Sequence, residues 1–267
     1  MNSFPWTIGG RELQSRLLLG TANYPSFESL KQSLHESGAQ VVTVSLRRSH
    51  PDRHGGNTFW KMLQELNLHL LPNTAGCRSA KEAIETAVMA REIFQTQWIK
   101  LEVIGDDYHL APDPFELVEA AKELVQQGFV VFPYTTDDLI VCERLVECGL
   151  DILMPGAAPI GTGLGPLNPY GFKILRQRFP QIKIIVDAGI GRPSHGATVM
   201  EWGADGVLLN TAVSQAFQPP LMAKAFALSI ESGRLAYLGG MMEAREMATA
   251  STPLVGRPFW LEKELST

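Results

Sequence analysis

Eight times along the chain a short apolar run rich in β-branched residues gives way to a segment of helical periodicity, and this alternation limits the fold more than any other feature. The runs fall at 16–19, 40–46, 68–72, 98–104, 129–133, 151–154, 183–187 and 205–210, and each reads as a buried strand. In the clearest intervening helix Asp113 is the N-cap, Pro114 takes the first helical position and Glu116 completes a capping box. Phe115, Val118, Ala121, Leu124 and Val125 keep its apolar spacing, and Gly128 ends it. The next helix runs from about Thr136 to Gly149 and ends the same way. A strand and helix about every 30 residues is the unit of an α/β (β/α)8 TIM barrel. A doubly wound open sheet shares the alternation, but no G-x-G-x-x-G follows the first strand. No linker-like tract or charge block divides the 267 residues. The expectation is one domain over 1–267, with the barrel over about 14–232 and a tail over about 233–267.

Composition narrows the function classes. Hydrophobic residues make up 45% and charged residues 19%, enough to build a core and too apolar for a disordered chain. Lys and Arg total 23 against 28 Asp and Glu, and no basic run could track phosphates along a duplex, so a nucleic acid partner is not expected. The N-terminal residues lack the basic and apolar regions of a secretory signal, and no uncharged apolar stretch reaches the roughly 18 residues of a bilayer span. A cytoplasmic protein without a membrane partner is expected. Cys77, Cys142 and Cys148 form no disulfide framework or C-x-x-C pair and read as buried small hydrophobes.

Two strands carry charge where a passive barrel carries none. In the fourth, Ile99, Leu101 and Val103 form the apolar parity that packs under helices, which turns Trp98, Lys100 and Glu102 into the lumen. Two residues of rise separate Lys100 and Glu102 by about 6.6 Å at their α-carbons. Burial of such groups is costly. From this strand alone two readings stay open: a desolvated amine that attacks a carbonyl to form an imine, or a structural ion pair with a snorkelling stem. In such a pocket Lys100 is expected to have a partly lowered pKa, with Glu102 opposing the effect of burial. In the seventh strand Ile184 and Val186 face outward, so Asp187 faces inward at the carboxyl end, where barrel active sites assemble. Capping a loop is one role for it; beside Lys100 and Glu102, general acid/base work is favoured.

Glycine-rich loops follow the sixth, seventh and eighth strands: Gly156 to Gly165, Gly189-Ile-Gly191, and Asn210-Thr211-Ala212 after the last. Backbone N–H groups in such loops approach anions closely, and the last two positions are the recurrent phosphate site of barrels. A phosphorylated small molecule is the expected ligand. His50 and His54 share a loop with Asp52, but Pro51, Gly55 and Gly56 disfavour a two-histidine metal face, so no metal is expected. Arg47 and Arg48 end the second strand and could assist an anion.

Over about Phe4 to Pro253 the sequence strongly resembles the thiazole synthase family. The resemblance rests on Leu71-Pro-Asn-Thr-Ala-Gly-Cys77, on Ile99-Lys-Leu-Glu-Val-Ile-Gly105, on Gly128-Phe-Val-Val and on Ala158-Pro-Ile-Gly-Thr-Gly-Leu-Gly165 followed by Asn168-Pro-Tyr170. Val186-Asp-Ala-Gly-Ile-Gly191 and Gly203-Ala-Asp-Gly-Val-Leu-Leu-Asn-Thr-Ala212 also belong to it but occur in phosphate-binding barrels generally. It implies a sulfur-transferring enzyme of thiamin biosynthesis that condenses 1-deoxy-D-xylulose 5-phosphate, dehydroglycine and the thiocarboxylate of a small ubiquitin-like sulfur-carrier protein into thiazole phosphate. It also implies a homo-oligomer and no metal or organic cofactor. Carried over by position, the imine-forming residue is Lys100, the acid/base carboxylates are Glu102 and Asp187, and the sugar-phosphate contacts are Gly161, Ala188, Gly189, Asn210 and Thr211. The chain departs from the family at Asn23, where relatives often carry lysine, and between Arg48 and His69. The rival readings are a class I aldolase or pyridoxal-phosphate-type synthase, which also pair a strand lysine with a phosphate site, and a non-catalytic barrel that only binds a sugar phosphate.

Overall fold

The computed structural model describes residues 5–46 and 56–252. Eight parallel strands close into a barrel in the order β10, β3, β4, β5, β6, β7, β8, β9. They are β3 (Leu17–Gly20), β4 (Val41–Ser45), β5 (His69–Asn73), β6 (Trp98–Leu101), β7 (Val130–Thr135), β8 (Ile152–Pro155), β9 (Lys183–Asp187) and β10 (Gly206–Leu209). All eight expected runs become barrel strands. The alternation of side chains then sorts the core into two layers. One parity, including Leu17, Val42, Ile99, Leu101, Ile184, Val186 and Val207, packs beneath the helices, and the other, including Leu18, Val41, Leu71, Trp98, Phe132, Ile185 and Leu208, fills the lumen.

The outer ring is α1 (Phe27–Ser37), α2 (Gly56–Glu65), α3 (Ala80–Phe94), α4 (Pro114–Gln126), α5 (Leu139–Glu147), α6 (Pro169–Arg178), α7 (Pro193–Glu201), the short α8 (Thr211–Ser214) and α9 (Pro219–Gly239). The last closes the ring by packing between α7 and α1. Position 233, where the sequence suggested that a tail begins, lies inside α9, because apolar residues such as Phe226 and Ile230 keep helical spacing past the barrel and find a buried seat. No helix among the described residues is long and apolar enough to cross a membrane.

Three local features differ from the sequence reading. The foot of the barrel is closed by a hairpin, β1 (Trp6–Ile8) and β2 (Arg11–Leu13), that periodicity did not reveal because each strand has three residues. Gly9 and Gly10 turn it with φ of 52° and 75°, the pair of left-handed residues that a two-residue type I′ turn requires. Its Trp6, Ile8 and Leu13 plug the lumen, and the Trp98 indole N–H donates to the Gly9 carbonyl at 3.1 Å. At α4, Asp113 caps as expected, accepting from the Phe115 and Glu116 N–H groups at 2.9 and 3.1 Å. Glu116 does not complete the capping box. Its carboxylate accepts from the Ala80 N–H at 2.6 Å, at the start of the neighbouring α3, while the Asp113 N–H donates to Val103. An acidic group at a helix N-terminus is favourable whichever helix supplies it. The next helix starts later than Thr136: Asp138 is its N-cap and α5 begins at Leu139.

Candidate active site

The carboxyl ends of the strands open into a cavity of about 1010 Å³. Lys100, Glu102, Asp187, Gly161, Ala188, Gly189, Asn210 and Thr211 all line it, although they come from four separate stretches of chain. His50, Asp52, His54, Arg47 and Arg48 lie outside the described residues. Among the described residues no group of three or more His, Cys, Asp or Glu is arranged to hold a metal ion.

Lys100 points inward from β6 as its parity demands, and Ile99 and Leu101 on either side are fully buried under the helices. Its ammonium nitrogen lies 2.5 Å from Asp187 Oδ2 and 3.3 Å from Glu102 Oε1. All three side chains are at least nine-tenths buried. The Tyr134 ring lies 5.8 Å from the same nitrogen, adding a cation–π contact. Burial by itself would lower the lysine pKa, and the sequence suggested a partly lowered value. The structure reverses that: Asp187 and Glu102 together outweigh desolvation and raise Lys100 above its ordinary value. Strand parity reveals that Lys100 and Glu102 share the lumen, but not that a carboxylate 87 positions downstream closes on the same nitrogen.

Thr74 holds this arrangement in register. Hydrogen-bonded pairing between β5 and β6 is confined to Asn73 opposite Lys100. Beyond it the Thr74 hydroxyl donates to the Glu102 carbonyl at 2.7 Å and accepts from the Glu102 N–H at 2.8 Å. One side chain therefore fixes the backbone of the first residue past β6, and with it the carboxylate.

The part of the wall that follows Asp187 is built from backbone. Ala188 has φ of 64°, costly for a residue with a Cβ, and Gly189 follows at 72°. A Cβ on Gly189 would fall 2.4 Å from the Ala158 nitrogen, so glycine there is a packing requirement. The turn is stitched to the loop after β8: Ala157 N–H donates to the Asp187 and Ala188 carbonyls, and Gly165 N–H donates to Gly189 at 2.8 Å. Asn210 and Thr211 complete the wall at the start of α8.

Two residues beside Lys100 escaped the sequence reading. Asn73 ends β5 on the lumen parity of Leu71, and its Oδ1 is buried without a hydrogen-bond partner. The parity that singled out Lys100 could have found it. Tyr134, on β7, could have been found the same way. Asn210 Oδ1 is likewise buried and unpartnered. Cys77 and Cys142 are buried as expected, whereas Cys148 at the end of α5 is half-exposed.

The family model of thiazole biosynthesis protein ThiG matches residues 7–253. Thiazole synthase from Coxiella burnetii is 57% identical over 259 residues, covering 97% of this chain and 99% of the relative. Thiazole synthase from Neisseria gonorrhoeae is 58% identical over 260 residues, covering 97% and 99%. Among solved structures, the Amycolatopsis orientalis BexX/CysO complex superposes with a TM-score of 0.81 at 33% identity, covering 91% of this chain and 99% of that one.

Proposed function

The chain belongs to the ThiG family of thiazole synthases, and on that premise we propose that Lys100 forms the imine on which the thiazole is assembled. The observation that carries the proposal is one amine held between two carboxylates at the floor of a cavity large enough for a sugar phosphate. The substrates are 1-deoxy-D-xylulose 5-phosphate, dehydroglycine and a carrier thiocarboxylate. The phosphate lies against Gly161, Ala188, Gly189, Asn210 and Thr211, all of which line the same cavity. A reduced cytoplasmic setting belongs to the same reading, in which Cys142 and Cys148 stay thiols.

At rest Lys100 is an ammonium. To attack it passes a proton to Asp187 or Glu102, both within direct reach, and adds to the C2 carbonyl. The acid so formed protonates the departing C2 hydroxyl, which leaves as water and yields the iminium. A carboxylate then removes the C3 hydrogen, and the C–H electrons flow toward the iminium nitrogen to give an enaminol. Protonation at C2 and loss of the hydroxyl proton leave a C3 ketone. The thiocarboxylate sulfur adds to that carbon, the carrier acyl group shifts from sulfur to the C3 oxygen and leaves with it as the carrier's carboxylate, and ring closure of the sulfur-bearing C3 unit with dehydroglycine expels the lysine as its amine. Reduction with borohydride in the presence of the sugar phosphate, followed by peptide mapping, tests the reading. The label is expected on Lys100; a label on Lys173 or Lys183 overturns it.

A further inference from the structure

We propose that Asn73 is a substrate-contacting residue that holds the C3 oxygen of the sugar while Lys100 holds C2. The inference rests on the imine reading above and deepens it. Asn73 and Lys100 are partners in adjacent parallel strands, so their side chains leave the sheet side by side on the lumen face. Asn73 lines the cavity, and its Oδ1 is buried with no hydrogen-bond partner. An unsatisfied buried carbonyl is costly to keep and marks a group that awaits a donor.

The substrate limits what that donor can be. With C2 joined to Lys100, C1 is a methyl group, so C3 carries the nearest lasting oxygen. The hydroxyl of the initial adduct leaves with water. In the incoming sugar the C3 hydroxyl donates to Asn73 Oδ1; after tautomerisation C3 is a carbonyl, and the same amide can donate through Nδ2. A carboxamide serves both states because it is donor and acceptor together and does not titrate. A third carboxylate here would repel the electron density that develops on the oxygen. Asp187 and Glu102 move protons, and Asn73 steadies the oxygen between them.

Three measurements on the full-length protein decide the matter. In wild type, Asn73→Leu and the isosteric Asn73→Asp, we would follow borohydride trapping of Lys100 and deuterium exchange at C3 of the bound sugar. We would also measure the affinity for 1-deoxy-D-xylulose 5-phosphate against its analogue lacking the C3 hydroxyl. Both variants are expected to retain trapping at saturating sugar while C3 exchange falls about 100-fold, the usual consequence of losing one preorganised hydrogen bond at a developing oxyanion. Asn73→Leu should weaken the parent sugar about tenfold and leave the 3-deoxy analogue unchanged. C3 exchange at the wild-type rate in both variants, or equal losses for sugar and analogue, overturns the role of Asn73. Failure of wild type to trap at Lys100 overturns the imine reading instead.

Discussion

The Lys100 ammonium nitrogen lies 2.5 Å from Asp187 Oδ2, joining the end of β9 to the middle of β6 inside a pocket that also holds Glu102. With two carboxylates on one buried cation, the cluster carries a net negative charge, and the lysine is held protonated above its ordinary range. On the proposed imine reading, the amine becomes nucleophilic by giving a proton to a neighbour.

Replacing Asp187 by Asn should therefore separate imine formation from turnover. Removing one carboxylate lets burial pull the Lys100 pKa down, so the rise of borohydride trapping with pH should move to lower pH than in wild type. Turnover should nonetheless fall by about 10²- to 10⁴-fold, the range of a lost general acid/base. Lys100→Arg should keep the fold and phosphate binding and abolish both reactions. A trapping profile unchanged in Asp187→Asn would mean that Asp187 does not govern the lysine.

At the proposed phosphate wall, Asn210→Asp adds a charge without adding a heavy atom. Sugar-phosphate affinity should drop about tenfold or more, since repulsion in the cavity is little screened, while the melting temperature changes by only a few degrees. Calorimetric titration checks this, and unchanged affinity would move the phosphate elsewhere. Gly189→Glu is a poorer probe, because its Cβ alone would collide with the Ala158 backbone.

What strand parity encodes was legible in the sequence, and what long-range closure decides was not. Ile184 and Val186 had to lie under helices, which turned Asp187 inward, and the same logic set Lys100 and Glu102 in the lumen. Yet parity carries no distance between β6 and β9, and the lysine's protonation depends on that distance. Glu116 looked committed to its own helix because a capping box is local; its reach to Ala80 depends on how α3 and α4 pack. The three-residue strands of the hairpin are too short for periodicity, although Gly9-Gly10 was a turn signal.

Far from the cavity, Asp205 anchors the foot of the barrel. Its Oδ2 accepts from Arg176 Nη1 and from the Ile184 N–H, both at 3.0 Å. Arg234 lies 3.9 Å from Oδ1, and Arg16 donates to the Asp205 carbonyl at 2.7 Å. Asp205→Asn leaves three guanidinium groups around a neutral amide and should cost about 3–5 kcal/mol in urea unfolding, with kcat unchanged in the folded fraction. A loss below about 1 kcal/mol would mean that solvent screens this cluster as it does a surface pair.

Acid should weaken the fold through His69 and His195. Burial lowers both below the ordinary 6.5, helped by Arg11 at His69 and Arg192 at His195. Between the lowered values and 6.5 the unfolded chain binds more protons than the folded one, so these groups make stability rise with pH across that window and fall as pH drops through it. Protonated His195 also loses the acceptor that takes the Gly191 N–H at 3.3 Å. Melting curves between about pH 5 and 7 should be flatter for a His69→Gln, His195→Gln double variant than for wild type. An equal slope in the two would assign the acid sensitivity to carboxylates.

On the proposed function the sulfur donor reaches Lys100 past the rim of the cavity, and the rim segment suited to a narrow extended tail is the loop after β8. Gly161 and Gly163 line the cavity with no side chain, while Leu164 and Leu167 stand 62% and 61% exposed beside them. Such exposed apolar groups next to an open backbone fit a peptide that lays a few residues along the loop before its terminus enters. A full-length carrier should bind and support turnover. A carrier cut short at its C-terminus should support none and bind more weakly, and Leu164→Asp together with Leu167→Asp should lower carrier affinity about tenfold while leaving borohydride trapping of the sugar at Lys100 intact. Titration calorimetry with the two carriers and the double variant reads all of this. Equal binding and activity of the intact and shortened carriers would exclude a path for the tail across this loop, because thiocarboxylate delivery would then not depend on the segment that has to enter.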